Sequence, residues 1–189
     1  MQFLSISWKD FHKDTYLLAK QIEKAGKKFD LIVAIARGGM TVSQILSDFL
    51  SLPIATFTIS SYKDLRQKDL PEISFHVGGN VRGKHILLVD DVSDTGKTFE
   101  RGIKYLHKFG VSSIGTAALL VKPQSKHVPD YFVKKTSAWI VFPYEIKETI
   151  LSVSAMMKKE KRTAGEIRNK LRKIKIPGGF IEELLNRYL

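Results

Sequence analysis

Asp90 and Asp91 close the apolar run Ile86–Val89, and the chain then reads Asp94-Thr95-Gly96-Lys97-Thr98. Paired acids at the carboxyl end of a buried strand lie where open α/β sheets bind ligands. A turn of this composition, leading into a helix, offers an anion successive backbone N–H groups, two hydroxyls and the positive end of a helix dipole. The stretch therefore suits a phosphate beside a hydroxyl-rich or Mg²⁺-bearing group that the two carboxylates hold. Gly96-Lys97-Thr98 also looks like the end of the phosphate loop of nucleoside triphosphatases. That motif needs glycine five residues before Gly96, and Asp91 stands there. A carboxylate at that point repels a triphosphate, so this class is set aside.

Gly38-Gly39 breaks the apolar run Leu31–Ala36 after Arg37. Lys122 ends a further apolar run, Ile114–Val121, and Trp139 offers a flat face within Ala138–Phe142. Read without context, Trp139 is a core residue and Lys122 a surface lysine. His12, His76, His85, His107 and His127 form no metal or catalytic spacing, and cysteine is absent, which removes disulfides and thiolate chemistry.

The elements that must position these residues alternate. Helical spacing runs from Trp8 to Ala25, with Phe11, Leu18 and Ile22 on one face and Gly26 as its stop. Leu31–Ala36, Ile54–Ile59, Ile86–Val89 and Ile114–Val121 read as strands, with helices over Thr41–Ser51 and Thr98–Phe109. Continuous apolar strands alternating with helices imply an α/β fold, a doubly wound and mainly parallel sheet with flanking helices. Ser60–Gly83 is long and polar, with a strand expected only at Ile73–Val77, and reads as a flexible hood loop over a site. A basic helical extension is expected over 149–189, after a main domain spanning 1–148. Between Leu151 and Leu189 ten Lys/Arg stand against four Asp/Glu, about half of the net charge of +12. No apolar run is long enough to span a bilayer, and the first residues do not read as a signal peptide, so a cytoplasmic protein is expected.

VDDVSDTGKT resembles the ribose-phosphate loop of the type I phosphoribosyltransferases, which use 5-phosphoribosyl pyrophosphate (PRPP) with Mg²⁺. Ala36-Arg37-Gly38-Gly39 is similar to the family's pyrophosphate loop, where the small glycines let backbone N–H groups approach pyrophosphate and Arg37 either contacts it or braces the loop or a neighbouring subunit. Ile59-Ser60-Ser61-Tyr62 resembles the opening of the hood in bacterial xanthine-guanine phosphoribosyltransferases. Val121-Lys122-Pro123 and Ala138–Glu145 look like the purine-contacting segments of the 6-oxopurine branch. These motifs cover roughly residues 6–146 in the family's order, and their pattern is nearest to short archaeal purine phosphoribosyltransferases.

The resemblance implies a purine salvage enzyme. It transfers the 5-phosphoribosyl group of PRPP to N9 of guanine, hypoxanthine or xanthine, giving a nucleoside 5′-monophosphate and pyrophosphate. It implies PRPP contacts at Arg37, Gly38, Gly39, Ser61, Tyr62, Asp90, Asp91, Thr95, Gly96, Lys97 and Thr98. Asp90 and Asp91 also hold Mg²⁺. Asp94 is the candidate proton-handling residue, lying near N7 of the purine; the alternative is a cap on the following helix. Lys122, Trp139, Ile140 and Glu145 are the candidate purine-binding residues. An ammonium only donates, so Lys122 in a base pocket favours a 6-oxo acceptor over the 6-amino group of adenine. The expected partners are PRPP, a purine base and further copies of the chain in a dimer or tetramer, with no membrane. Nucleic acid belongs to a rival reading, a PRPP-binding regulator that uses the basic tail. An adenine-specific phosphoribosyltransferase is a second rival.

Overall fold

The computed structural model describes residues 2–60 and 71–188. In chain order the elements are β1 (Phe3–Ser5), α1 (Trp8–Lys24), β2 (Leu31–Ala36), α2 (Gly38–Leu50), β3 (Ile54–Ser60), β4 (Glu72–Phe75), β5 (His85–Ser93) and α3 (Lys97–His107). They continue with β6 (Ser113–Val121), β7 (Tyr131–Lys135), β8 (Trp139–Val141), α4 (Ile146–Lys159), α5 (Ala164–Lys173) and α6 (Gly178–Tyr188). The chain packs as two compact units, one of residues 12–137 and one of 1–11 with 138–189. This division follows contacts, whereas the boundary expected near 148 follows the change to a basic, helical sequence pattern.

The larger unit is built on a six-stranded sheet in the order β4-β3-β2-β5-β6-β7. All neighbouring pairs are parallel except β3 with β4. Both faces of the central strands are covered, which is why they read as unbroken apolar runs. One parity of residues (Leu31, Val33, Ile35, Ile86, Leu88) joins Phe57, Phe99, Tyr105, Leu106 and Ala118 in one cluster. The other parity (Ile32, Ala34, Leu87, Val89) is also buried. From β2 the chain runs outward to β3 and β4, then returns to place β5 on the other side of β2. The β2–β5 boundary is therefore where the winding reverses, the place at which open α/β sheets form a ligand crevice.

Two expectations change. The helix expected from Thr41 begins at Gly38, so the glycine pair forms its first turn and does not break the chain. The strand expected to end at Val89 continues to Ser93, because Asp90, Val92 and Ser93 stay in register with Ala118, Leu120 and Val121. The paired acids thus lie on the strand itself, held by its ladder.

In the smaller unit β1 and β8 pair in parallel, Phe3 opposite Trp139 and Ser5 opposite Val141. Helices α4, α5 and α6 enclose a core of Val141, Ile150, Val153, Ile167, Leu171, Ile174, Ile176, Ile181 and Leu185. Helix α5 carries a capping box: Thr163 accepts from the Glu166 N–H at 3.2 Å, and the Glu166 carboxylate accepts from the Thr163 N–H at 2.8 Å. No helix among the described residues is long and apolar enough to cross a membrane.

Candidate active site

Strands β2 and β5 run side by side, and each delivers its chain into a helix at the same end of the sheet. Helix α2 starts at Gly38 after the cis Ala36–Arg37 peptide, and α3 starts at Lys97 after Gly96. Neither N-cap residue, Arg37 or Gly96, supplies a side-chain cap; the Asp90 carboxylate takes the Gly39 N–H of α2, and Thr95 Oγ the Lys97 N–H of α3 at 3.4 Å. A helix leaves its first N–H groups without an intrahelical partner; α5 meets this with a capping box, whereas the N-cap residue of α4, like those of α2 and α3, makes no side-chain cap. What sets the starts of α2 and α3 apart is their place side by side at the carboxyl ends of adjacent strands, where helix N-termini are suited to cradling anions. Gly96 makes the second cradle possible, since its φ of +83° lies in the left-handed region, and a side chain there would strike the backbone of His127.

Asp90 and Asp91 sit between these cradles, buried at 8 % and 6 % exposure. The Asp90 carboxylate accepts from the Asp91 N–H at 2.9 Å and from the Gly39 N–H. Burial, reinforced by the charge of Asp91, pushes the Asp90 carboxyl well above its ordinary range, and the two backbone donors only partly oppose this. Two adjoining buried carboxylates are a hard-oxygen donor pair that a cation would relieve. Mg²⁺ fits that set, because it takes one or two protein carboxylates and keeps water or substrate oxygens for its other positions. No cluster of three or more metal-ligating side chains occurs among the described residues, so the chain alone builds no complete metal cage.

Asp94 follows the end of β5 and does not cap α3. One of its carboxylate oxygens accepts from the Gln124 amide at 2.7 Å. Lys122 begins the loop after β6, adjacent to β5, and its N–H donates to the Ser93 carbonyl at 2.9 Å. The larger unit thus gathers Arg37, Gly38, Gly39, Asp90, Asp91, Asp94, Thr95, Gly96, Lys97, Thr98 and Lys122 onto the carboxyl ends of β2, β5 and β6.

Trp139, Ile140 and Glu145 belong to the smaller unit. Trp139 is half-exposed on β8, its ring tilted 6.5 Å from that of Phe3. Ile140 follows it on the strand, and Glu145 precedes α4, where its carbonyl accepts from the Thr149 N–H at 2.8 Å. Ser61 and Tyr62, expected to contact PRPP, lie outside the described residues.

Sequence reasoning singled out Lys122 and Pro123 but gave no role to residues 124–127. Ser93 Oγ donates to the His127 carbonyl at 2.7 Å and meets Ser125 Oγ at 2.9 Å, and the Lys126 N–H donates to the Thr95 carbonyl at 3.1 Å. The His127 ring stacks on Phe99 at 5.1 Å. Burial lowers its pKa from the usual 6.5, against the opposing pull of Asp130 and Glu100. These contacts join residues about thirty positions apart, so no local spacing signals them.

Paired acids and two helix starts thus meet at the winding reversal of a doubly wound sheet, the place where open α/β folds bind ligands. Residues 7–149 match the phosphoribosyl transferase domain family, and the chain belongs to it. It is similar to a purine phosphoribosyltransferase from Pyrococcus horikoshii, with 34 % identity over 76 % of this chain and 95 % of that one, at a TM-score of 0.68. A Neisseria gonorrhoeae protein solved with bound ppGpp shares 28 % identity over 77 % of this chain and 90 % of its own, also at 0.68. The Helicobacter pylori xanthine-guanine-hypoxanthine phosphoribosyltransferase shares 26 % identity over 79 % and 97 %, at 0.63.

Proposed function

We propose that the chain is a purine salvage enzyme that transfers the 5-phosphoribosyl group of PRPP to N9 of a 6-oxopurine, releasing pyrophosphate. The observation that carries this reading is the buried Asp90–Asp91 pair flanked by the starts of α2 and α3. PRPP carries its 5-phosphate and pyrophosphate on opposite sides of a ribose diol, and the site has an anion cradle on either side of two oxygen-donor side chains. Thr95, Gly96, Lys97 and Thr98 take the 5-phosphate, and Arg37, Gly38 and Gly39 face the pyrophosphate. Asp90 and Asp91 hold the ribose hydroxyls directly or through Mg²⁺, which when bound neutralises charge on the leaving pyrophosphate.

The chain's contribution is orientation and charge placement as an oxocarbenium-like ribose forms. Asp94 stabilises or accepts the proton at N7 as N9 attacks C1 of the ribose. Lys122 donates to the 6-oxo group, and the family resemblance assigns Trp139, Ile140 and Glu145 to the purine. The named activities of the Pyrococcus and Helicobacter relatives support a purine acceptor.

The test is release of pyrophosphate from PRPP and Mg²⁺ with adenine, guanine, hypoxanthine, xanthine or uracil. Turnover with one or more 6-oxopurines is expected, and Lys122→Ala is expected to weaken their use more than PRPP binding. Turnover with adenine alone would transfer the chain to the adenine-specific class. Turnover with no purine would leave a PRPP-binding regulator, the reading that the exposed basic residues of the C-terminal helices favour.

A further inference from the structure

We propose that Gln124 is the positioning residue for Asp94, holding one carboxylate oxygen so that the other meets the purine N7 proton. This rests on the proton-handling role of Asp94 given above. The loop after β6 touches the 93–96 turn at every residue. Three of those contacts act on backbone: Lys122 N–H to the Ser93 carbonyl, Lys126 N–H to the Thr95 carbonyl, and the packing of His127 against Gly96. They shape the turn that leads into the phosphate cradle. Ser93 Oγ adds contacts to the His127 carbonyl and Ser125 Oγ, and the contact to the proposed proton-handling side chain is the Gln124 amide donating at 2.7 Å to Asp94 Oδ1.

The chemistry of the pair suits the task. A carboxylate on a short arm at a helix start has two competing donors, the first N–H groups of that helix and the N–H of the base. If Asp94 turned to cap α3, it would occupy the cradle that a phosphate needs. The Gln124 amide offers it a neutral partner on the other side. A neutral donor orients the carboxylate without the competition that a lysine or arginine would exert for it. One residue can thus tune proton handling while the neighbouring backbone contacts keep the phosphate cradle intact.

That separation gives a test a purely structural role would fail. Gln124 is exposed, so Gln124→Met keeps its length and removes the amide, and with it the donor to Asp94. With PRPP, Mg²⁺ and the best purine, kcat is expected to fall about tenfold, an effect in keeping with a misplaced reacting group. KM for PRPP is expected to hold within about twofold, because the backbone contacts persist. Asp94→Asn is expected to fall further, and the double variant to match Asp94→Asn alone, as for two residues acting through one interaction. Losses that multiply in the double variant, or a PRPP KM that rises in step with the kcat loss, would overturn the proposal. An impaired Asp94→Asn beside an unaffected Gln124→Met overturns it and leaves the role of Asp94 standing. An unaffected Asp94→Asn removes that role, and the proposal falls with it.

Discussion

Gly38 lies against the side chain of Asp91: a Cβ built on this glycine would stand 2.6 Å from the Asp91 Cγ, with both carboxylate oxygens equally near. The glycine-rich start of α2 and the acid pair of β5 are therefore one construction. The missing side chain of the first is the space taken by the second.

Gly38→Ala must push the Asp91 carboxylate aside, and a side chain can yield where backbone cannot. A fall in PRPP affinity of roughly tenfold is expected by calorimetry, with a change in Tm of no more than about 2–4 °C. The neighbouring substitution behaves in the opposite sense. A Cβ on Gly39 would come within 2.3 Å of the Val89 carbonyl, which belongs to the β5 ladder. Gly39→Ala is expected to cost about 1–3 kcal/mol of stability, read in urea. Equal effects of the two substitutions on stability would break the distinction.

Asp90 predicts a trade between stability and activity. Its buried charge stands beside that of Asp91, and Asp90→Asn removes the repulsion while keeping an oxygen to accept the Asp91 N–H. The ligand-free variant is expected to gain about 1 kcal/mol, worth roughly 2–4 °C in a chain of this size. It is also expected to lose phosphoribosyl transfer and the thermal shift that PRPP with Mg²⁺ confers. A variant that is less stable than the parent would contradict the electrostatic account.

Stability should also fall on the acid side of neutrality through His127. In the unfolded chain this imidazole takes a proton near 6.5, and in the folded chain burial delays that to lower pH. Between those two points the unfolded state binds more protons, so stability rises with pH there and is lost as pH falls. Thermal melts of the parent between about pH 5 and 8 are expected to slope more steeply below 6.5 than those of His127→Gln. Parallel slopes would mean that His127 titrates alike in both states.

The strands that carry the site were legible because burial on both faces writes continuous apolar runs, as in Leu31–Ala36 and Ile114–Val121. The turn at Asp94–Thr98 was legible for a different reason, since few other sequences place two acids, a glycine and two hydroxyls at a strand end. What escaped has physical causes. The helix was expected only from Thr41 because glycine is a poor helix former, but a first turn packed against Asp91 and the Val89 carbonyl needs its small size more than its propensity. Strands β1, β7 and β8 are three to five residues long and carry too little periodicity to register. Gln124 and His127 act across a loop, and their partners cannot be inferred from spacing.

The C-terminal helices offer the last prediction. Deleting residues 151–189 would seem the direct way to ask whether their charge serves nucleic acid. The structure argues against that experiment, because Ile150, Val141 and Phe3 pack with residues of all three helices. Deletion would uncover an apolar core, and any loss of binding would report misfolding. Charge reversal avoids the difficulty: Lys159, Lys161, Lys173 and Lys175 are all exposed and lie outside the ion pairs that Arg162, Arg168 and Arg172 make with Glu160, Glu166 and Glu182. If the extension is structural, replacing these four lysines with glutamate should leave transfer kinetics within about twofold. Neither protein should then bind a labelled single-stranded RNA or duplex DNA more tightly than the roughly 10⁻⁴–10⁻⁶ M of non-specific association. Leu171→Ala, by contrast, should cost about 2–5 kcal/mol in the smaller unit, since that side chain is fully buried. Tight, salt-sensitive binding by the parent that vanishes in the four-lysine variant would reverse the assignment and make the helices a nucleic-acid surface.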